Sequence, residues 1–174
     1  MAFKYAEKDA KSEKWALRDR FIFFLRILQI RYSDLMKIDF VHLDSVTSTN
    51  TWAKENHSSF NPSHLTCITA HTQTAGRGRQ EKKWISPPGK NLTLTLYFTI
   101  PSSAPYLSNL GQIMALSCAE LLISLHVPTQ LKWPNDLVVQ SKKIGGILTE
   151  TISLSHSTGV IIGLGLNVNM PEET

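Results

Sequence analysis

Strand-length apolar segments dominate the sequence after Met36, and only two helical patterns interrupt them. The clearest strand pattern runs from Asn91 to Ile100, where leucines alternate with threonines. This alternation places the leucines on one face of a sheet. The other predicted strands are residues 38–43, 66–71, 130–133, 137–140, 143–152 and 158–168. Because strands are grouped apart from helices, the sequence predicts an α+β fold, with a mixed, largely antiparallel sheet packed with helices.

Two helices are predicted in this strand-rich part. Residues 48–56 form a short helix that begins with hydroxyl residues typical of N-caps. Residues 107–125 form a longer helix with an apolar stripe. The stripe consists of Leu107, Leu110, Met114, Leu121 and Leu125.

The segment before Met36 is predicted to be a helical extension, residues 1–35, of a domain that spans residues 36–174. Residues 8–35 have the pattern of one helix. Three interpretations stay open: a helix that packs on the domain, a helix on a membrane surface, or a start assigned upstream of an initiator at Met36. The segment is too short for a helix-turn-helix domain, so repressor activity is not expected.

Composition restricts the class of partner. The net charge of +4 suits anionic ligands and is too small to predict nucleic-acid binding. Cys67 and Cys118 lack metal-ligand spacing and are expected to be buried free thiols. The first residues are polar and charged, and the apolar run 21–30 contains an arginine and is too short for a bilayer. We therefore expect a cytoplasmic protein without a membrane partner.

The strongest chemical signal is the loop Gly76-Arg77-Gly78-Arg79. Arginine carries a permanent, planar charge that forms bidentate bonds, and glycine lets backbone amides approach a ligand closely. The pattern therefore indicates a mobile loop that grips an anion, and phosphate fits best.

Three segments, in this order, resemble the catalytic domain of biotin protein ligases. They are the arginine loop, Lys132-Trp133-Pro134-Asn135-Asp136 and Lys143-Ile144-Gly145-Gly146-Ile147-Leu148. The resemblance covers residues 37–169 and implies the monofunctional type, without a DNA-binding domain. It also implies the biotin/lipoate ligase catalytic fold, which is related to the core of class II aminoacyl-tRNA synthetases. Typical members continue beyond the position of Thr174, so the domain is expected to be truncated at its C-terminus.

The resemblance implies a two-step reaction that uses biotin, ATP and Mg²⁺. Biotin and ATP give biotinyl-AMP, and a lysine of the biotin carboxyl carrier domain of acetyl-CoA carboxylase then takes the biotinyl group. Two alternatives stay open: a lipoate or octanoate ligase of the same fold, and a non-catalytic biotin-binding remnant. The arginine loop favours biotin. Homodimer formation also stays open.

The resemblance assigns roles to particular residues. The biotin contacts are Ser48, Thr49, Asn50, Gln73, Gly76, Arg77, Gly78, Arg79, Lys132 and Gly146. The ATP contacts are Arg77, Arg79, Trp84, Lys132 and Asn167, with Mg²⁺ near Asn167. Lys132 would lie between the biotin carboxylate and the α-phosphate, so Lys132, Arg77 and Arg79 are the expected catalytic residues.

Three of these assignments have structural alternatives. Ser48 to Asn50 also suit an ordinary N-cap. Trp84 also suits the protein core. Asp136 follows Asn135 in a turn, where such residues are often structural, and is otherwise a candidate to orient Lys132 or to accept a proton.

Overall fold

A seven-stranded mixed sheet is the framework of the computed structural model, which describes residues 37–170. The strands are β1 (Lys37–Val46), β2 (His64–Gln73), β3 (Asn91–Pro101), β4 (Gln130–Lys132), β5 (Asp136–Val139), β6 (Lys142–Ser153) and β7 (Ser157–Asn167). The helices are α1 (Thr49–Asn56) and α2 (Leu110–Ser124). The predicted helix 8–35 lies outside the described residues.

The order of strands across the sheet is β1-β2-β3-β7-β6-β5-β4. Strands β1 and β2 are parallel, and every other neighbouring pair is antiparallel. The predicted α+β class with a largely antiparallel sheet is therefore confirmed. The observed strands overlap all seven predicted ones, and the terminal residues differ by up to three positions.

The alternation in β3 separates the two faces of the sheet. Leu92 and Leu94 are buried on the face that packs against α2. Thr95 is buried on the opposite face, where its hydroxyl contacts α1. Strand β7 pairs with β3 along its full length and brings Leu164 and Leu166 to the leucine face. The α1 face therefore carries more polar groups, and the candidate site lies there.

Helix α2 packs through small residues, which corrects the predicted stripe. Its buried residues are Ala115, Cys118, Ala119 and Leu122. Leu125 is 37% exposed, whereas Leu107, Leu110 and Met114 do pack against the core. The small residues let the helix approach β6 closely: a Cβ at Gly111 would lie 2.8 Å from Thr149 Oγ1.

The segment Leu107–Ser124 is long and apolar enough to cross a membrane, a criterion that core helices of soluble proteins also meet. Its contacts with the sheet favour the core interpretation. Its outward face nevertheless carries Ile113, Leu116 and Ile123, each more than half exposed.

Both cysteines are expected to be unreactive in the folded chain. Cys67 and Cys118 are free and buried, and burial raises the pKa of each thiol to about 12. At pH 8 only about one thiol in 10,000 is then the reactive thiolate. We expect no reaction with Ellman's reagent within minutes at pH 8, and two thiols per chain after unfolding in guanidinium. Rapid reaction of the native chain would contradict the burial.

Candidate functional site

A cavity of about 440 Å³ lies on the α1 face of the sheet. Its walls come from the beginning of α1, the arginine loop, the turn between β4 and β5, and strands β6 and β7. Its charged lining residues are Arg77, Arg79, Lys82, Lys83, Lys143 and Asp136. Five cations against one carboxylate make this a site for an anionic ligand.

The arginine loop is tied at its base into a small hairpin. The Gly76 carbonyl accepts a hydrogen bond from the Trp84 amide at 2.8 Å, and the Gly78 amide donates to the Lys82 carbonyl at 2.6 Å. At the tip, Gln80 has a φ of 54°, a left-handed conformation that is uncommon outside glycine. Gly76 is buried and does not line the cavity, whereas Gly78 does.

The two arginines of the loop have different partners. Arg77 Nη2 donates to both carboxylate oxygens of Glu150, at 2.9 and 2.8 Å. Arg79 Nη1 donates to Asn135 Oδ1 at 3.1 Å. Because Asn135 is neutral, the charge of Arg79 is not compensated by this bond. Arg79 is therefore better placed than Arg77 to hold a phosphate.

Glu150 is a site residue that the sequence analysis missed. Its side chain is 19% exposed, and in addition to Arg77 it accepts a hydrogen bond from Asn50 Nδ2 at 2.9 Å. A glutamate within a predicted strand gave no signal of this role. The pairing of β6 with β7 and the packing of α1 above them bring it to Asn50.

The residues predicted for the biotin ring form a hydrogen-bonded network. Asn50 Nδ2 also donates to the Leu148 carbonyl at 3.1 Å, and Asn50 Oδ1 accepts from the Thr95 hydroxyl at 2.7 Å. The carboxamide of Asn50 is thus fully engaged with protein groups. The structure places Asn50 at the cavity wall as a residue that fixes α1 against the sheet.

Gln73 and Ser48 each have a polar side-chain group that is available to a ligand. Gln73 Oε1 accepts from the Thr49 amide at 2.8 Å, which leaves the carboxamide nitrogen as the donor for a ligand. Ser48 is the N-cap residue of α1, yet its side chain makes no capping hydrogen bond. Ser48 lines the cavity, so its hydroxyl is a second candidate for contact with a ligand.

Lys143 lines the cavity and Lys132 does not. Lys132 is exposed at the end of β4. Lys143 Nζ lies 2.7 Å from Asp136 Oδ1 and 5.8 Å from the centroid of the Trp84 ring. The antiparallel pairing of β5 and β6, with a register shift after Leu137, brings Lys143 beside Asp136. Lys143 belongs to the third motif of the sequence, but the expected role was given to Lys132.

The two glycines of the Gly163-Leu164-Gly165 segment make room for neighbouring side chains. A Cβ at Gly163 would collide with the Asn50 carboxamide, and a Cβ at Gly165 would collide with the Trp84 indole. Trp84 therefore lies directly on β7 and lines the cavity. Its Nε1 is buried without a hydrogen-bond partner among the described residues.

Two other predicted site residues, Gly146 and Asn167, differ in whether they line the cavity. Gly146 lines the cavity. Asn167 does not line it and accepts a hydrogen bond from Asn91 Nδ2 at 2.7 Å. The structure therefore gives Asn167 a partner within the sheet, and its predicted contact with ATP stays a prediction.

The described residues do not supply a complete Mg²⁺ site. Within residues 37–170 no group of three His, Cys, Asp or Glu side chains could hold a metal ion. Asp136 is the single carboxylate in the cavity lining, and it is paired with Lys143. Mg²⁺ commonly uses one or two carboxylates together with substrate phosphates and water. These residues therefore fit Mg²⁺ only when phosphates bring most of its ligands.

Known proteins resemble this chain in both sequence and fold. The bifunctional ligase/repressor BirA of Escherichia coli K12 is 38% identical over 106 residues, which are 60% of this chain and 33% of BirA. The biotin protein ligase of Leishmania major, in a crystal structure with biotinyl-5-AMP, has a TM-score of 0.65 at 30% identity and covers 77% of this chain and 59% of that one. The Aquifex aeolicus enzyme, with biotin and ATP, has a TM-score of 0.57 at 34% identity over 78% of this chain and 56% of that one.

The chain spans between 33% and 44% of the length of the first curated relatives that it matches. The model of the biotin/lipoate A/B protein ligase family matches residues 42–167, which include the cavity and nearly all of the sheet. This chain therefore belongs to the biotin/lipoate A/B protein ligase family.

Proposed function

We propose that this chain attaches biotin to a lysine of a protein, at the expense of ATP and through biotinyl-AMP. The observation that carries the proposal is the composition of the cavity lining. It combines neutral hydrogen-bonding groups from Ser48 and Gln73 with the cations Arg79 and Lys143. Biotin has matching groups, a neutral ureido ring and a carboxylate. Related ligases in complex with biotinyl-5-AMP, or with biotin and ATP, support the same assignment.

The cations of the cavity lining address the main electrostatic obstacle of the first step. The biotin carboxylate must approach the α-phosphate of ATP, and two unit negative charges about 4 Å apart repel by roughly 4 kcal/mol at an effective dielectric constant of 20. Lys143 and Arg79 both line the cavity and offset this repulsion. The carboxylate oxygen then forms a bond to the α-phosphorus, and the bond to pyrophosphate breaks.

Lys143 takes the role that the sequence analysis gave to Lys132. Its ion pair with Asp136 fixes the ammonium group near the Trp84 ring. The Lys143 side chain is 47% exposed in this pair, so the ammonium can also reach a ligand in the cavity. Arg77 is compensated by Glu150 and is proposed to order the wall next to the biotin ring. Mg²⁺ would be held by ATP phosphates, with Asp136 as the nearest candidate carboxylate, and would neutralise phosphate charge.

Arg79 is proposed to retain the reactive intermediate. Arg79→Gly removes a charge-assisted bond worth about 1.5–3 kcal/mol, so release of biotinyl-AMP is expected to rise about tenfold to a hundredfold. Biotinyl-AMP in the filtrate of a reaction with ATP and biotin gives the measurement. Glu81→Gly is the matched control, because Glu81 has a φ of 60° and glycine there loosens the loop without removing a cavity cation. Equal leakage from both variants would assign retention to loop stiffness instead of Arg79.

The acceptor is proposed to be the biotin carboxyl carrier domain of acetyl-CoA carboxylase, in the cytoplasm. No described feature assigns a role in nucleic-acid binding, and homodimer formation stays a proposal. We assign the proposed ligase activity to residues 36–174, which form the proposed catalytic domain.

Pyrophosphate release distinguishes the proposed function from its two alternatives. The full chain is incubated with ATP and biotin, or with ATP and lipoate. Biotin-dependent release is expected, with little release on lipoate. The reverse preference would indicate a lipoate or octanoate ligase. Biotin binding without release on either acid would indicate a non-catalytic biotin-binding remnant.

A further inference from the structure

A second cavity, of about 230 Å³, adjoins the first. The residues that line both cavities are Arg79, Trp133, Pro134, Asn135 and Ile147. The residues that line only the second are Ser108, Gly111, Gln112 and Thr149. It therefore lies between the beginning of α2 and strand β6, and it meets the first cavity at the hydrogen bond between Arg79 and Asn135.

We propose that this second cavity, the acceptor cavity, admits the lysine side chain of the acceptor protein to the acyl-adenylate in the first cavity. The inference rests on the proposed function, because an amine acceptor is required only if an acyl-adenylate forms. It assigns the acceptor a route that is separate from the opening used by biotin and ATP.

The charges of the acceptor cavity suit a neutral amine. Its lining includes no carboxylate, and Arg79 is its one charged residue. A nearby cation and partial removal from water both disfavour an ammonium group and lower the pKa of an entering lysine. The neutral amine is the nucleophilic form, so these surroundings favour attack. The same charges disfavour a metal ion as the occupant.

The shape and polarity of the walls suit a lysine stem with an amine tip. Ile147 and Pro134 offer apolar surface to the four methylene groups. Polar walls come from Ser108, Gln112 and Thr149, and hydroxyl and carboxamide oxygens of this kind can accept from an amine N–H. Trp133 is 82% exposed at the edge of both cavities, where a docked protein surface would cover it.

The transfer step balances without a further reactant. The lysine nitrogen forms a bond to the acyl carbon, and the bond between that carbon and the phosphate oxygen breaks. AMP leaves with the electron pair, and the nitrogen loses its proton to solvent. Arg79, which lines both cavities, lies where it can stabilise the phosphate of the leaving AMP.

Ser108→Trp tests the route, because Ser108 lines the acceptor cavity alone and its side chain is exposed. Ser108→Trp is expected to slow the transfer of biotin from preformed biotinyl-AMP to an isolated carrier domain. The fold-reduction should be about ten times larger than the fold-reduction in adenylation, which is measured as biotin-dependent pyrophosphate release. Ser117→Trp is the matched control on the exposed side of α2, outside both cavities, and neither rate should change beyond about twofold.

Ser108→Glu adds a readout that a structural defect would not produce. A carboxylate in the acceptor cavity favours the ammonium form of the lysine, so the pH profile of transfer should shift to higher pH, while Ser117→Glu should not shift it. The proposal would be overturned if Ser108→Trp slowed both half-reactions equally, or if it slowed adenylation more than transfer. The second result would indicate a nucleotide subsite. A wild-type chain that forms no adenylate would instead overturn the proposed function itself.

Discussion

Lys143→Ala is expected to lower the rate of biotin-dependent pyrophosphate release by about a hundredfold to a thousandfold. The physical reason is the loss of a cation that neutralises the approach of two anions, an effect worth roughly 3–4 kcal/mol in comparable sites. The effect should fall on the rate of adenylation more than on biotin affinity, because the charge contributes most when carboxylate and phosphate are together. Single-turnover formation of biotinyl-AMP, at saturating biotin and ATP, gives the measurement.

Lys132→Ala is the matched control for this prediction. Both residues are lysines, they lie on the same β4-β5-β6 segment of the sheet, and they differ in whether they line the cavity. The Lys132 variant is expected to retain activity within a few-fold, since exposed substitutions away from a site have small effects. A severe loss in the Lys132 variant with a near-normal Lys143 variant would restore the original sequence-based assignment and contradict the structural one.

Glu150→Ala is expected to damage both biotin affinity and stability. The carboxylate holds Arg77 through two short hydrogen bonds and Asn50 through a third, and Asn50 in turn fixes the beginning of α1. Loss of these contacts should raise the KM for biotin about tenfold, with a smaller change in kcat. The free energy of unfolding should fall by about 1–3 kcal/mol, because solvent screens the ion pair with Arg77, whose side chain is 45% exposed.

Two comparisons make the Glu150 prediction specific. Glu120→Ala removes an exposed glutamate of α2 and should leave the KM for biotin and the free energy of unfolding near their wild-type values. Glu150→Gln retains one acceptor oxygen and should recover part of the biotin affinity, because Asn50 keeps a partner. A lower stability without a change in the KM for biotin would show that Glu150 supports the fold and does not position residues that contact biotin.

The sequence predicted the sheet well because a local pattern, the alternation of apolar and polar residues, identifies its strands. In Asn91 to Ile100, alternation alone separates the buried leucine face from the threonine face. Helix α2 was less predictable: the large residues of the expected stripe pack partly, and the small residues Ala115 and Ala119 are buried in the core. Local periodicity does not show which helical residues must be small, because that depends on the distance to the sheet.

The candidate site depended more on tertiary structure. The arginine loop was identified from residue types, because arginine supplies a permanent charge and glycine supplies backbone freedom. The choice between Lys132 and Lys143 depends on the register of the β5-β6 hairpin, which brings Lys143 to Asp136. The pairing of Arg77 with Glu150 joins residues 73 positions apart, and neither residue type nor spacing predicts it.

A crystal structure of the full chain with biotinyl-AMP tests the central claim most directly. We expect the ureido carbonyl within hydrogen-bond distance of the Gln73 carboxamide nitrogen, and the phosphate in contact with Arg79 and Lys143. A ligand held outside this cavity, or a phosphate bound by Lys132 with Lys143 left in solvent, would contradict it.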